Sequence, residues 1–381
     1  MLSSILKLNK RNRRNKLNKL KNMLARKNIA YEVNPYIAGK PIEEVQRELG
    51  LKEVIKLASN ENPLGASPKA LAAMRKTLSS VNRYPDSNGF YLKNKLAAHF
   101  KLGPSNFLLG NGSDELIDII VKTFVEVDEN IVTADVTFLE YEIISQVNGR
   151  KVIKVPLKDF KYDLEGIRKR VDSKTKVVFI ANPNNPTGTY VTKKEFDKFV
   201  NGLSEQVIVV LDEAYDTFID VRDFPDSLSY IKDKNAIILK TFSKAYGLAG
   251  LRIGYAIARP EVTAYMEKAR QPFNVNILAQ AAAIAALGDR DFLRKTRSAI
   301  LEGKKYLYTA LSKSGISYVP SVTNFILVDV AQDGVGVFKE MLRRGVIVRD
   351  MKQYGLKNFI RVTIGTQEEN KKFISVLKKV L

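Results

Sequence analysis

The sequence predicts an α/β protein, a doubly wound, mostly parallel sheet covered by helices and followed by a smaller α+β domain. Three observations carry this. Apolar runs recur with little polar alternation: "FLL" (107–109), "NIVTA" (130–134), "KVVFIA" (176–181), "VIVVL" (207–211), "AIIL" (236–239) and "RIGYAIA" (252–258). Such runs fit strands buried on both faces. Amphipathic segments such as "DELIDIIVKTFV" and "TKKEFDKFVNGL" lie between them and supply the helical cover that a two-sided sheet needs. After about residue 275 the texture changes to long helices alternating with short strands.

Taken in order, residues 1–31 form a basic arm and residues 32–59 a segment that joins the small domain. Residues 60–275 form the large domain, and residues 276–381 the small one. "SPKALAAMRKTL" (67–78) opens with a serine cap and a proline at the first helical position, the residues that start helices best. Beyond 275, "DFLRKTRSAILEGKKYLYTALSKSG" reads as a long amphipathic helix. The strand "NFILVDV", the helix "VFKEMLRRG", the strands "VIVRD" and "FIRVTIG" and the closing helix "EENKKFISVLKKVL" follow. A cleft between the two domains is the expected ligand site.

Composition narrows the chemistry. Hydrophobic residues make up 45% of the chain and no window is a long apolar run, whereas a membrane span needs roughly 18 such residues; the sequence reads as soluble and cytoplasmic. There is no cysteine and the single histidine is His99. Thiolate nucleophiles, disulfides and cysteine or multi-histidine metal sites are therefore excluded, and no metal is expected. His99 reads as one face of an ordinary helix. Proton transfer near neutral pH then falls to a tuned lysine, tyrosine or carboxylate, or to a cofactor.

The net charge of +21 is unevenly spread, since residues 1–31 carry ten Lys or Arg and no Asp or Glu. This arm has no aromatic residue before Tyr31 and so lacks the stacking surfaces of single-strand binders. It reads as a loose basic tail or helix. Weak RNA or anionic-surface binding, a transit-like peptide and a start at Met23 are its other readings. No apolar segment of secretory type follows the charges.

Polar residues collect where strands end. "GNGSDELIDII" (110–120) puts two glycines, a serine and an aspartate before a helix, where backbone N–H groups and the helix dipole can hold a phosphate. "NPNNPTG" (182–188) follows "VVFIA", "DEAY" (212–215) follows "VIVVL", and "TFSKAYGLAGLRIGY" (241–255) follows "AIIL". Each alone is a turn, a cap or an ion pair. Together they place an asparagine, an aspartate, a tyrosine and a lysine beyond the carboxyl ends of core strands, where α/β sheets bind ligands. Pyridoxal phosphate accounts for the set: the lysine forms a Schiff base, the cradle holds the phosphate, the aspartate keeps the pyridine nitrogen protonated, and donors tune the phenolic oxygen.

"SNENPLG", "RYPD", "GNGSDE", "NPNNPTG", "DEAY", "TFSKAYGLAGLRIGY" and "IRVTIGT" stand in the order and spacing of fold-type I, class II pyridoxal phosphate aminotransferases. With "PYIAGKPIEEV" (35–45) added, the chain most resembles the histidinol-phosphate aminotransferase family, from about residue 34 to the C-terminus. The resemblance implies fold type I, a seven-stranded large-domain sheet and a homodimer with shared active sites. It also implies ping-pong exchange between L-histidinol phosphate plus 2-oxoglutarate and imidazole-acetol phosphate plus glutamate, in histidine biosynthesis. Lys244 would be the Schiff-base lysine and proton carrier, Asp212 the partner of the pyridine nitrogen, and Tyr215 and Asn185 the contacts of the phenolic oxygen. Phe138 would stack on the ring. Gly112, Ser113, Asp114, Ser243 and Arg252 would hold the phosphate, joined by Tyr84 from the neighbouring subunit. Arg361, Arg349, Tyr36 and Asn62 would meet the substrate. The chain departs from the common pattern at Val136, where proline is frequent, and at Lys240, where arginine is. An aromatic or other amino-acid aminotransferase and threonine-phosphate decarboxylase share the fold and remain alternatives, as does a nucleic-acid-binding sensor of the same fold.

Overall fold

The computed structural model describes residues 26, 29 and 33–381. The basic arm read from residues 1–31 lies outside the described residues apart from those two positions.

Seven strands form the central sheet: β2 (Phe107–Gly110), β3 (Asn130–Ala134), β4 (Lys151–Val155), β5 (Thr175–Ala181), β6 (Ile208–Asp212), β7 (Ala236–Thr241) and β8 (Gly254–Ile257), in the order β2-β8-β7-β6-β5-β3-β4. Only β8 runs against its neighbours β2 and β7. The inner strands are apolar because helices cover both faces, and Val177, Val178, Phe179 and Ile180 are fully buried. Edge strand β4, "KVIKV", escapes the sequence reading because it is half-exposed and carries lysines, as edge strands that resist aggregation do.

Register positions the site. Ala181 of β5 pairs with Asp212 of β6, and Asp212 pairs with Leu239 of β7. The three parallel strands therefore end side by side. The turns that follow them carry Asn185, Tyr215 and Lys244 to one edge of the sheet.

The small domain builds an antiparallel sheet from β9 (Tyr318–Val319), β10 (Phe325–Asp329), β12 (Arg349–Asp350) and β13 (Phe359–Thr363), ordered β12-β13-β10-β9. The long helix Arg290–Lys313 and the closing helix Gln367–Val380 pack on it, burying Leu307, Leu311, Phe373 and Leu377. β1 (Ile55–Lys56) pairs in parallel with β11 (Val346–Ile347), which ties the segment before the large domain to the small one. The helix Ile277–Leu287 buries Ala279, Ala282, Ala283 and Ala286 in the core that covers the seven-stranded sheet. An alanine face lets it pack closely there.

Candidate active site

A cleft enclosing about 980 Å³, its mouth included, opens at the carboxyl ends of β5, β6 and β7. Its walls hold eleven of the residues expected from sequence: Tyr36, Ser113, Asp114, Phe138, Asn185, Asp212, Tyr215, Ser243, Lys244, Arg252 and Arg361.

One end is built for an anion. The helix Ser113–Phe124 points its N-terminus there, and its unpaired N–H groups and dipole favour negative charge. Gly112 sits at φ +84°, where a side chain would be strained, and a Cβ there would lie 2.6 Å from Arg252 Nη2. Arg252 donates to Asp114 Oδ2 at 3.0 Å and reaches Ser243 Oγ at 3.5 Å. Its own φ of 52° lies in the left-handed region, which a residue with a Cβ adopts only when its surroundings hold it there.

At the centre, the buried Asp212 accepts the Tyr141 hydroxyl on Oδ2 at 2.7 Å and the Ala214 N–H on Oδ1 at 3.1 Å. Burial pushes its carboxyl up to about 6, against the pull of those two donors. Tyr141 stacks on Phe179 with centroids 4.8 Å apart and meets Phe138 edge-on at 5.6 Å. Burial likewise raises the Tyr215 hydroxyl, which accepts from Asn60 Nδ2 at 2.9 Å. Lys244 Nζ donates to the Ser59 carbonyl at 3.1 Å and lies 5.7 Å from the centre of the Tyr215 ring. Burial first, and then the Arg361 charge, pulls its amine down to about 8. A buried lysine that sheds its proton near neutrality is a nucleophile.

The other end is also cationic. Arg361, buried on β13, donates to Asn185 Oδ1 and, at 2.8 Å, to the Ala58 carbonyl. Its Nε is buried without a partner, a donor left for an anion. Arg349 pairs directly opposite it in the β12–β13 register, with its guanidinium 5.0 Å from the Tyr36 ring. Asn62 stands apart from the cleft lining and braces a loop, donating to Ala245 O at 2.8 Å and Thr296 Oγ1 at 3.1 Å. Tyr84 is 81% exposed outside the cleft and stacks on Phe273 at 4.6 Å. His99 lies on the exposed side of its helix.

Sequence reasoning missed Tyr141 and Asn60. Tyr141 lies three residues after Phe138, one helical turn, and Asn60 lies inside "SNENPLG"; spacing could have flagged the first. The residues present suit pyridoxal phosphate. A glycine-lined helix N-terminus with an arginine fits a phosphate monoester, a buried carboxylate fits a ring cation, and a deprotonable lysine stands within the same cleft.

The chain is similar to known proteins over most of its length. A family model for aminotransferase class I and II matches residues 52–377. The histidinol-phosphate aminotransferase of Moorella thermoacetica is 48% identical over 351 residues, covering 92% of this chain and 91% of that one. Histidinol-phosphate aminotransferase 2 of Carboxydothermus hydrogenoformans is 45% identical, covering 92% and 97%. Among solved structures, the histidinol-phosphate aminotransferase of Sinorhizobium meliloti in complex with pyridoxal-5'-phosphate has a TM-score of 0.86 at 30% identity, covering 94% of this chain and 98% of that one. With its strand-end lysine, buried aspartate and anion cradle in one cleft, the chain belongs to the class I and II aminotransferases.

Proposed function

We propose that this protein is a pyridoxal phosphate aminotransferase that interconverts L-histidinol phosphate plus 2-oxoglutarate with imidazole-acetol phosphate plus glutamate. The observation that carries the reading is the placement of Lys244, Asp212 and the Gly112–Asp114 cradle in one cleft, with the unpartnered Arg361 donor at its far end. The two relatives above, named for this activity, support the choice of substrate.

When bound, pyridoxal phosphate supplies an electron sink for the electrons of the substrate Cα–H bond. The helix N-terminus at Ser113, with Ser243 and Arg252, would hold its phosphate. Asp212 would pair with the ring nitrogen and, facing a cation, would stay ionised. Phe138 would stack on the ring, and Asn185 and Tyr215 would offer polar groups to its phenolic oxygen. Lys244, whose amine burial pulls down to about 8, would hold and move the proton at the substrate Cα. Arg361 takes the carboxylate of glutamate or the anionic end of histidinol phosphate, because a guanidinium fork suits both. Arg349 and Tyr36 stand beside it.

The proposed assembly is a homodimer. Leu78, Val81, Phe90 and Tyr91 are exposed in the same stretch of chain as Tyr84, and exposed apolar residues that gather on one face mark interfaces. Tyr84 would then reach the partner's cleft. The cytoplasm, where soluble amino-acid precursors are made, is the proposed compartment.

The test is a half-reaction spectrum. Protein loaded with pyridoxal phosphate is titrated separately with L-histidinol phosphate, phenylalanine and threonine phosphate while the visible band of the lysine-bound cofactor is followed. Bleaching at far lower concentrations of histidinol phosphate is expected. Preference for phenylalanine would move the substrate, CO₂ release from threonine phosphate would make the protein a decarboxylase, and the absence of any band would refute the cofactor.

A further inference from the structure

Asn60 holds a left-handed backbone conformation, at φ 56°, which among residues with a Cβ asparagine and aspartate adopt most readily. It is also buried, at 1% exposure. Such a conformation persists only where its surroundings over-determine it, and it clusters at functional sites. Four hydrogen bonds do so here. The Asn60 N–H donates to Thr363 Oγ1 at 2.9 Å, and the Thr363 hydroxyl donates to Asn60 Oδ1 at 3.2 Å. The Asn60 carbonyl accepts from Asn324 Nδ2 at 3.0 Å, and Asn60 Nδ2 donates to Tyr215 Oη at 2.9 Å.

These bonds have a direction. Thr363 Oγ1 has already received the backbone N–H, so its own proton goes to Asn60 Oδ1. That fixes which way the amide faces and leaves an N–H, not an oxygen, against Tyr215. A phenol has one proton to give. Held by a donor at its oxygen, Tyr215 cannot spend that proton on Asn60, and no other acceptor for it is seen among the described residues. The proton is therefore available to the cleft that Tyr215 lines.

The same residue joins three parts of the site. Thr363 lies on β13 two residues after Arg361, Tyr215 follows β6, and the carbonyl just before Asn60, that of Ser59, accepts from Lys244 Nζ. We propose that Asn60 is a positioning residue that fixes the Tyr215 hydroxyl as a donor into the cleft and links it, with the Lys244 amine, to the strand carrying Arg361. The inference rests on the pyridoxal phosphate reading, since its consequence is the electronic state of the cofactor's phenolic oxygen.

That state can be read without turnover. A donor to the phenolic oxygen stabilises its ionised form and lowers the pH at which the lysine-bound cofactor loses its proton. The visible band of the loaded protein is titrated with pH for wild type, Asn60→Asp, Asn60→Gly, Tyr215→Phe and the two double variants. In Asn60→Asp the carboxylate only accepts, so Tyr215 turns toward it, and the midpoint should rise by about one pH unit. Asn60→Gly adds no charge and relieves the backbone. It should move the midpoint in the same direction and keeps the test valid if the aspartate variant folds poorly. Neither change should add to Tyr215→Phe. Unchanged midpoints in both Asn60 variants, or shifts that survive in full without the Tyr215 hydroxyl, would overturn the inference while leaving the cofactor reading intact. A wild-type protein with no band would overturn both.

Discussion

Tyr141 donates its hydroxyl to Asp212 Oδ2 at 2.7 Å, and both side chains are buried beneath the cleft. An unsolvated carboxylate is costly without donors. The bond keeps Asp212 nearer to ionisation than burial alone would allow. The pair holds a carboxylate poised to meet a cation.

Tyr141→Phe should therefore raise the Asp212 carboxyl above its present position near 6. A hydrogen bond to a charged group is worth about 1.5–3 kcal/mol. We expect cofactor affinity to fall about tenfold or more and the acid limb of the pH–rate profile to move upward. Equilibrium dialysis and a pH profile measure both, and wild-type values in each would show that the bond does not tune Asp212.

The raised Asp212 also predicts how the cofactor-free protein responds to pH. Folding strengthens proton binding at this group, so its stabilising contribution is present below the ordinary 3.8 and is lost as pH rises through about 6. Two units correspond to about 3 kcal/mol as an upper bound. Asp212→Asn should thus stabilise the cofactor-free protein at pH 7 but much less at pH 4, while weakening the loaded form. Thermal unfolding at the two pH values checks this; an equal effect at both would contradict the shift.

Lys244 runs the other way. Its amine is pulled down toward about 8, so the folded state binds this proton less tightly than the unfolded chain does. The resulting cost is absent above the ordinary 10.5, grows as pH falls toward about 8 and is complete below it. Lys244→Met should make the cofactor-free protein more stable at pH 7, with the gain fading toward alkaline pH. Lys244→Ala should abolish both the visible band and turnover. Retention of either at wild-type level would remove Lys244 from its role.

Arg361→Ala should raise KM for glutamate and histidinol phosphate together, by about tenfold or more, since a charge-assisted bidentate contact is lost. Arg361→Lys should recover only part, because an ammonium lacks the fork. Steady-state kinetics with both donors decides, and unchanged KM for both would mean that the anion binds elsewhere.

Lys240, at the position where arginine was the more frequent expectation, lies buried between Glu213 and Asp216. Although burial opposes its charge, the two carboxylates raise its pKa well above the ordinary value. These partners directly follow Asp212 and Tyr215. Lys240→Met leaves Glu213 buried and unpaired and should cost about 3–5 kcal/mol, whereas Lys240→Arg should stay close to wild type. Urea unfolding measures the difference, and a loss below about 1 kcal/mol would show the ion triad to be dispensable.

Sequence alone determined the alternation of strands and helices, the residues that end each core strand and the chemistry they imply. Those signals are local: uninterrupted apolar runs, a serine cap before Pro68, glycines at a helix start, and a lysine after "AIILKTFS" all act within a few residues. The tertiary structure decided what depends on distant partners. Asn60 meets Thr363 across 303 positions, and Tyr141 meets Asp212 across 71. No window of sequence contains either pair. The helix Ile277–Leu287 joined the large core because its alanine face matched a surface there, and β4 formed because an exposed lysine-bearing segment could complete a sheet edge. Asn62, read as lying near substrate, has its amide spent on Ala245 and Thr296. Periodicity and turn chemistry belong to the chain, while the donor and acceptor left over at each buried group are settled only when the chain packs against itself.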